Sequence, residues 1–257
     1  MSDSIATLIR GLQTRKNRER RGLTLAEGVR LVEEVLAAGV PVTAAVTSPA
    51  LEATPRGAAL AAALRASVSR CDTVDDRALA ELASTEHPQG VVAVIEPRAW
   101  QLADLPTGAR GVILVLDAVQ DPGNVGTMLR TAWALGADGV VALPGTAELT
   151  NPKVLRGAMG ASFRLPAVAV PTEEFLAWVG RQHGRLVVSA VDGAPLSSLG
   201  TASGLTALAV GNEGAGCTPA VMQATTATVA IPMRAGAESL NVAVAAGILL
   251  YGLCHAR

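Results

Sequence analysis

The stretch VILVLDAVQDPGNVGTMLRTAWALGADGVVAL, residues 112–143, sets the architecture. Residues 112–116 form an unbroken apolar run, as expected for a strand covered on both faces rather than on one. Pro122 and Gly123 signal a turn. A helical pattern follows over 125–135, closed by Gly136, and 140–143 is the next strand. A strand, a polar loop, a helix and another strand make a βαβ unit, and the rhythm continues downstream. Helices are expected over 152–161, 173–182 and 219–224, and strands over 186–191, 205–210 and 228–231. Residues 240–254 read as a final helix that is apolar nearly all round, with Ser239 as its N-cap. Strands alternating with helices imply a parallel sheet covered by helices on both faces.

Upstream lies a second α/β module. A basic helical segment opens it, followed by a strand over 23–26, an amphipathic helix over 27–38 ended by Gly39, and a strand over 42–46. Helices over 57–65 and 75–83 and a strand over 91–95 complete it. Residues 97–110, with Pro97, Pro106 and Gly108, read as a linker, giving domains at 1–96 and 111–257.

Half of the 257 residues are hydrophobic and only 2% are aromatic, so the core is packed from small aliphatic side chains. Cys71, Cys217 and Cys254 fit neither a disulfide framework nor zinc-ligand spacing, and His87, His183 and His255 form no metal constellation. No metal is expected, and a reducing cytoplasm is. The N-terminus lacks a secretory pattern, and the C-terminal apolar run is short for a membrane span. The net charge of −1 excludes a polyanion binder acting through overall charge. Charge is nonetheless clustered: Arg15, Lys16, Arg18 and Arg20 stand close together with Glu19 the only acidic residue among them, a pattern that neutralises phosphates when it faces RNA and is otherwise a solvated helix end.

Ligands in open α/β sheets bind beyond the carboxyl ends of strands. Three such ends carry polar, glycine-rich loops: 117–131, 211–216 and 231–241. None is a G-x-G-x-x-G fingerprint or a P-loop, which disfavours a nicotinamide enzyme or an NTPase.

In this order, the segments LDAVQDPGNVGTMLRTAWALGADGV (116–140), ALAVGNEGAG (207–216) and IPMRAGAESLNVAVAAGILLYGL (231–253) resemble the SpoU (TrmH) family of RNA ribose 2′-O-methyltransferases, within the SPOUT superfamily. The Arg-rich start, Ala26-Glu27-Gly28 and His87-Pro88-Gln89-Gly90 resemble that family's substrate-binding domain, itself similar to small ribosomal RNA-binding proteins. The resemblance implies a C-terminal parallel-sheet SPOUT domain with a deep trefoil knot, S-adenosylmethionine as cofactor, RNA as substrate and a homodimer formed through the C-terminal domain. The target it favours is 23S rRNA. Transfer RNA as target and a catalytically silent RNA-binding member stay open, as do housekeeping modification and protection against a ribosome-targeting antibiotic.

Carried over by residue, the family's conserved positions fall on Asn124, Arg130, Glu213, Ser239 and Asn241 as the catalytic set, and its cofactor contacts on Gly211, Ile231, Met233 and Leu240. The resemblance makes Arg130 the activator of the hydroxyl, with Asn124, Ser239 and Asn241 positioning Arg130 and the ribose, and Glu213 orienting the network or holding Arg130. A guanidinium stays protonated in proteins, so stabilising an alkoxide suits Arg130 better than acting as a base. Two positions depart from the family: Ala118 stands where glycine is common, and Gly157 where serine is expected.

Overall fold

The computed structural model describes residues 4–106, 111–200, 204–234, 236 and 239–255. Residues 107–110 of the expected linker and Ala235, Ala237 and Glu238 of the third loop lie outside the described residues. In chain order the elements are α1 (Ile5–Leu12), α2 (Arg15–Arg21), β1 (Thr24–Glu27), α3 (Val29–Ala37), β2 (Val42–Thr47), α4 (Pro55–Ser67), β3 (Cys71–Thr73), α5 (Asp76–Ala80) and β4 (Val91–Ile95). They continue with β5 (Val112–Leu116), α6 (Pro122–Ala134), β6 (Gly139–Ala142), α7 (Pro152–Ala158), β7 (Ala167–Ala169) and α8 (Thr172–Arg181). The last are β8 (Arg185–Pro195), β9 (Thr206–Val210), α9 (Pro219–Ala224), β10 (Ala227–Ala230) and α10 (Val242–His255).

The chain divides into two compact units, the first made of residues 1–98 and 150–163. Its sheet runs β1-β4-β2-β3 and is mixed: β4 is antiparallel to both neighbours, whereas β2 and β3 are parallel. Alternation along β4 sends Val91, Ala93 and Ile95 into one core with Leu31, Val35 and Leu64, and Val92 and Val94 into another with Ile5, Ile9 and Leu12. Helices therefore cover both faces. Leu155 of α7 is 2% exposed and belongs to the first of these cores, so the helix that its sequence position assigns to the C-terminal module packs in the N-terminal one.

The second unit, residues 99–149 and 164–257, holds a six-stranded, all-parallel sheet ordered β10-β8-β9-β5-β6-β7. On one face Ile113 and Val115 pack with Phe175, Trp178 and Val221. α10 packs against α6, β5 and β9. Gly247 makes that approach close, since a Cβ there would lie 3.3 Å from the Thr131 methyl. β5 and β9 are neighbours, and the strands on their two sides are reached by separate runs of chain. The carboxyl ends of β5 and β9 thus flank a topological switch point, where open α/β sheets bind ligands.

Two departures from the sequence reading matter for the site. β8 extends to Pro195 and is irregular: Val188 and Ala194 pair with the consecutive residues Thr228 and Val229, leaving 189–193 out of that ladder. The final helix starts at Val242, not 240, and its cap is not Ser239. The Asn241 side chain accepts from the backbone N–H groups of Ala243 (2.9 Å) and Val244 (3.3 Å).

Candidate active site

β5 is followed directly by Asp117, whose backbone N–H donates to the Val210 carbonyl on β9. The Asp117 side chain is fully buried and accepts from the Thr218 N–H at 2.6 Å, which ties the start of the first loop to the end of the second. Asp121 caps α6 by accepting from the Asn124 N–H at 2.8 Å, with Pro122 in the first turn. That cap fixes Asn124 at the beginning of the helix.

The loop after β9 is built around Asn212. Its backbone exchanges hydrogen bonds with Gly216 in both directions at 2.9 Å. Its side-chain oxygen accepts from the N–H groups of Gly214 and Ala215, both at 3.0 Å, and its amide donates to the Ala118 carbonyl at 3.2 Å. A Cβ on Gly211 would lie 2.1 Å from the Gly216 carbonyl carbon and 2.2 Å from the Cys217 nitrogen, so only glycine admits this fold-back. The loop lines the space above the sheet from Gly211 to Cys217, with three glycines among those residues. Neither Asp117 nor Asn212 stood out in the sequence. Asp117 is nevertheless a carboxylate directly after a buried strand, and Asn212 lies in a glycine-rich turn, both legible signals in hindsight.

That space is a cavity of about 430 Å³ lined by Gly211, Glu213, Ile231, Met233, Ser239 and Leu240, among others. All four expected cofactor residues and two of the five expected catalytic residues therefore meet at one cavity. Ser189–Val191, on the stretch where β8 leaves its ladder, form another part of its wall. Cys217 also lines it. Burial pushes its thiol up to about 12, with the nearby Asp117 charge adding to the effect, so it stays protonated at neutral pH and offers no base.

The polar side chains form a relay. The Asn241 carbonyl oxygen is committed to the N-terminus of α10, which turns its amide nitrogen to donate to Asn124 Oδ1 at 3.1 Å. Asn124 in turn donates to Glu213 Oε1 at 2.8 Å. Each amide orientation dictates the next, ending on a carboxylate at the cavity wall. Arg130 is not part of this relay: it is exposed and makes no hydrogen bond or ion pair to any of the described residues. Glu213 is held by Asn124 rather than pairing with Arg130, and Ser239 is exposed at the cavity wall.

In the first unit, Lys16 and Arg20 on α2 are exposed, as is Arg15, which also pairs with Glu19 at 2.7 Å. Arg18 departs from the phosphate-binding expectation. It is 5% exposed and donates from Nη1 to the carbonyls of Leu12 (2.9 Å) and Gln13 (3.0 Å), satisfying the end of α1 rather than facing solvent.

Residues 111–251 match the model of the SpoU rRNA Methylase family, and residues 7–93 match the MRM3-like substrate binding domain. A curated relative, the 23S rRNA (guanosine(2553)-2′-O)-methyltransferase RlmP of Bacillus subtilis, is 37% identical over 94% of this chain and 92% of its own. The crystal structure of the SpoU methyltransferase AviRb from Streptomyces viridochromogenes in complex with AdoMet is 31% identical, with a TM-score of 0.87 over 99% of this chain and 98% of that one. An AdoMet-bound rRNA methyltransferase from Sinorhizobium meliloti is 30% identical, with a TM-score of 0.85 over 97% and 93% of the two chains. With the loops after β9 and β10 lining one cavity, Asn124 of the first loop bonded to both, and a family model spanning more than half its length, the chain belongs to the SpoU rRNA Methylase family.

Proposed function

We propose that the protein transfers a methyl group from S-adenosylmethionine to a ribose 2′-hydroxyl of 23S rRNA, in the cytoplasm. The observation that carries this reading is the Asn241–Asn124–Glu213 relay ending at a cavity lined by Gly211, Ile231, Met233 and Leu240. The cavity suits the cofactor: main chain of the 211–216 loop offers polar groups to a nucleoside and amino-acid moiety, while Ile231, Met233 and Leu240 offer apolar walls to an adenine ring. The names of the relatives supply the rRNA target. The family's knotted threading is part of the proposal and would fall on the loops that meet at this cavity.

When bound, S-adenosylmethionine supplies an electrophilic methyl on sulfur. The residues of this chain align the attacking oxygen and stabilise its charge. Arg130 is a cation without a protein partner among the described residues, available to a ribose 2′-oxygen and its neighbouring phosphate. It acts as an electrostatic stabiliser of the developing alkoxide. Asn124 and Asn241 set the position of Glu213, and Ser239 offers a hydroxyl at the same wall. The protein is also proposed to act as a homodimer through its C-terminal unit, on the strength of the exposed apolar residues of α10.

Single-turnover transfer of labelled methyl to unmodified 23S rRNA tests the assignment. Arg130→Ala is expected to slow transfer by about 10²–10³-fold, the usual loss for removing a transition-state donor, while calorimetry finds S-adenosylmethionine affinity unchanged. A variant with near wild-type turnover would rule Arg130 out. Wild-type transfer to tRNA in place of 23S rRNA would overturn the target.

A further inference from the structure

The first unit holds a cavity of its own, about 320 Å³, lined by Arg30, Leu31, His87, Gln89, Arg156 and Met159 around a floor formed by Glu27, Gly28 and Thr85. Its chemistry is one-sided. The Glu27 carboxylate is 5% exposed and saturated: one oxygen accepts from the Thr85 N–H (3.1 Å) and the Thr85 hydroxyl, the other from the Ser84 N–H (2.9 Å), the Ser84 hydroxyl (2.7 Å) and Arg156 Nη1 (3.4 Å). Burial pushes the Glu27 carboxyl up, but the hydrogen bonds from Thr85 and Ser84 and the charge of Arg156 outweigh it and hold the group below its ordinary value. The floor is therefore an anion with no acceptor capacity to spare.

What remains around it are donors. Arg156 uses Nη1 on Ser84 Oγ (2.8 Å) and Glu27, leaving Nε and Nη2 without a partner among the described residues. Gln89 accepts from the Val29 N–H at 2.9 Å, which leaves its amide nitrogen free to donate. Gly28, at φ +94°, lets the Gln89 amide lie so close that a Cβ would stand 3.1 Å from Oε1. Arg30 and His87 are exposed and make no hydrogen bond or ion pair among the described residues, although the Arg30 charge also acts on Glu33. Glu27 is countered by Arg156 and Glu33 is paired with Arg56, so Arg30 gives the cavity a surplus positive charge. Leu31 and Met159 add an apolar surface, and Met159 is held at φ +48°, in the left-handed region that non-glycine residues seldom occupy.

We infer that this cavity is an RNA subsite, in which a backbone phosphate sits between Arg30 and Arg156 and an unstacked base lies against Met159 and Leu31, within donor reach of Gln89 and His87. Single-stranded RNA is read in this way, with bases splayed onto side-chain surfaces and their edges hydrogen-bonded. A volume of about 320 Å³ lies at the small end of ligand pockets, which run from roughly 300 Å³ upward, and suits one nucleotide. The inference rests on the proposed rRNA substrate and adds a contact of the first unit that is independent of the methyl-transfer cavity.

The test measures equilibrium binding of a 23S rRNA transcript to the full chain and to the Arg30→Ala/His87→Ala double variant across a salt series. Both side chains are exposed and make no hydrogen bond or ion pair among the described residues, so the melting temperature and S-adenosylmethionine affinity should match wild type. RNA affinity is expected to fall about tenfold, and the slope of log K against log salt to drop by about one. Unchanged RNA affinity and slope overturn the subsite while leaving the proposed reaction standing. Wild-type protein that binds no RNA overturns both. Adenosine or uridine monophosphate binding that the double variant loses, with RNA affinity retained, would make this a free-nucleotide pocket and would also overturn the inference.

Discussion

Asn241 does two jobs with one amide. Its oxygen caps α10 and its nitrogen holds Asn124, and the two functions separate in Asn241→Asp. Aspartate caps a helix as well as asparagine, and its charge suits the N-terminal end of the helix dipole. It has no donor for Asn124 Oδ1. If the Asn124 amide turns to donate to the new carboxylate, its oxygen faces Glu213. The variant should therefore melt no lower than wild type by calorimetry, yet transfer methyl at least about tenfold more slowly, the scale of one lost hydrogen bond to a charged group. Wild-type transfer rates would show that the relay is a structural cap only. The same residue marks a limit of reading from sequence. Ser239 and Asn241 are equally good caps by residue type, and what chooses between them is a partner 117 positions earlier in the chain. Conversely, Gly211, Ile231, Met233 and Leu240 do meet at one cavity, because the motif spacings already encode the loops that carry them.

The loop after β9 can be tested as an element. Gly211→Ala places a methyl on backbone atoms of Gly216 and Cys217, which no side-chain movement relieves, so the loop must open. Opening breaks the paired Asn212–Gly216 bonds and moves Glu213 with them. S-adenosylmethionine affinity measured by calorimetry should fall at least about tenfold, since misplacing a preorganised backbone wall removes contacts that cannot be remade elsewhere. Wild-type affinity would place the cofactor elsewhere. The strands flanking this loop were legible because buried parallel strands are continuous apolar runs, as in 112–116 and 206–210. β3 and β7 were not: each has three residues at a sheet edge, too short for periodicity to register. The β8 excursion at 189–193 was also hidden, since pairing partners rather than residue types define it. α7 was legible as a helix but not as to which core it joins, which depends on Leu155 sharing a cluster with buried residues sixty or more positions earlier.

At the scale of the whole molecule the open question is α10. No helix among the described residues is long and apolar enough to cross a membrane, so its composition needs another explanation. One side is buried through Val242, Ala246, Leu249 and Leu250. On the other, Val244, Ile248 and Tyr251 are 51%, 46% and 61% exposed, and their i, i+4, i+7 spacing puts them on one face. Single exposed apolar residues are ordinary, whereas a helix-long row of them marks a surface that meets another protein. A second copy of this chain is the proposed partner, since a two-fold axis along α10 would set the same row against itself. Asn241 caps the start of this helix, so such a contact would stiffen the element that anchors the relay. Wild-type protein should sediment with the mass of a dimer. Ile248→Glu, which buries a charge in that contact without touching the core of the subunit, should sediment as a monomer and transfer methyl more slowly. A wild-type monomer would overturn the assembly. A monomeric Ile248→Glu that keeps full activity would instead show that each subunit holds a complete site.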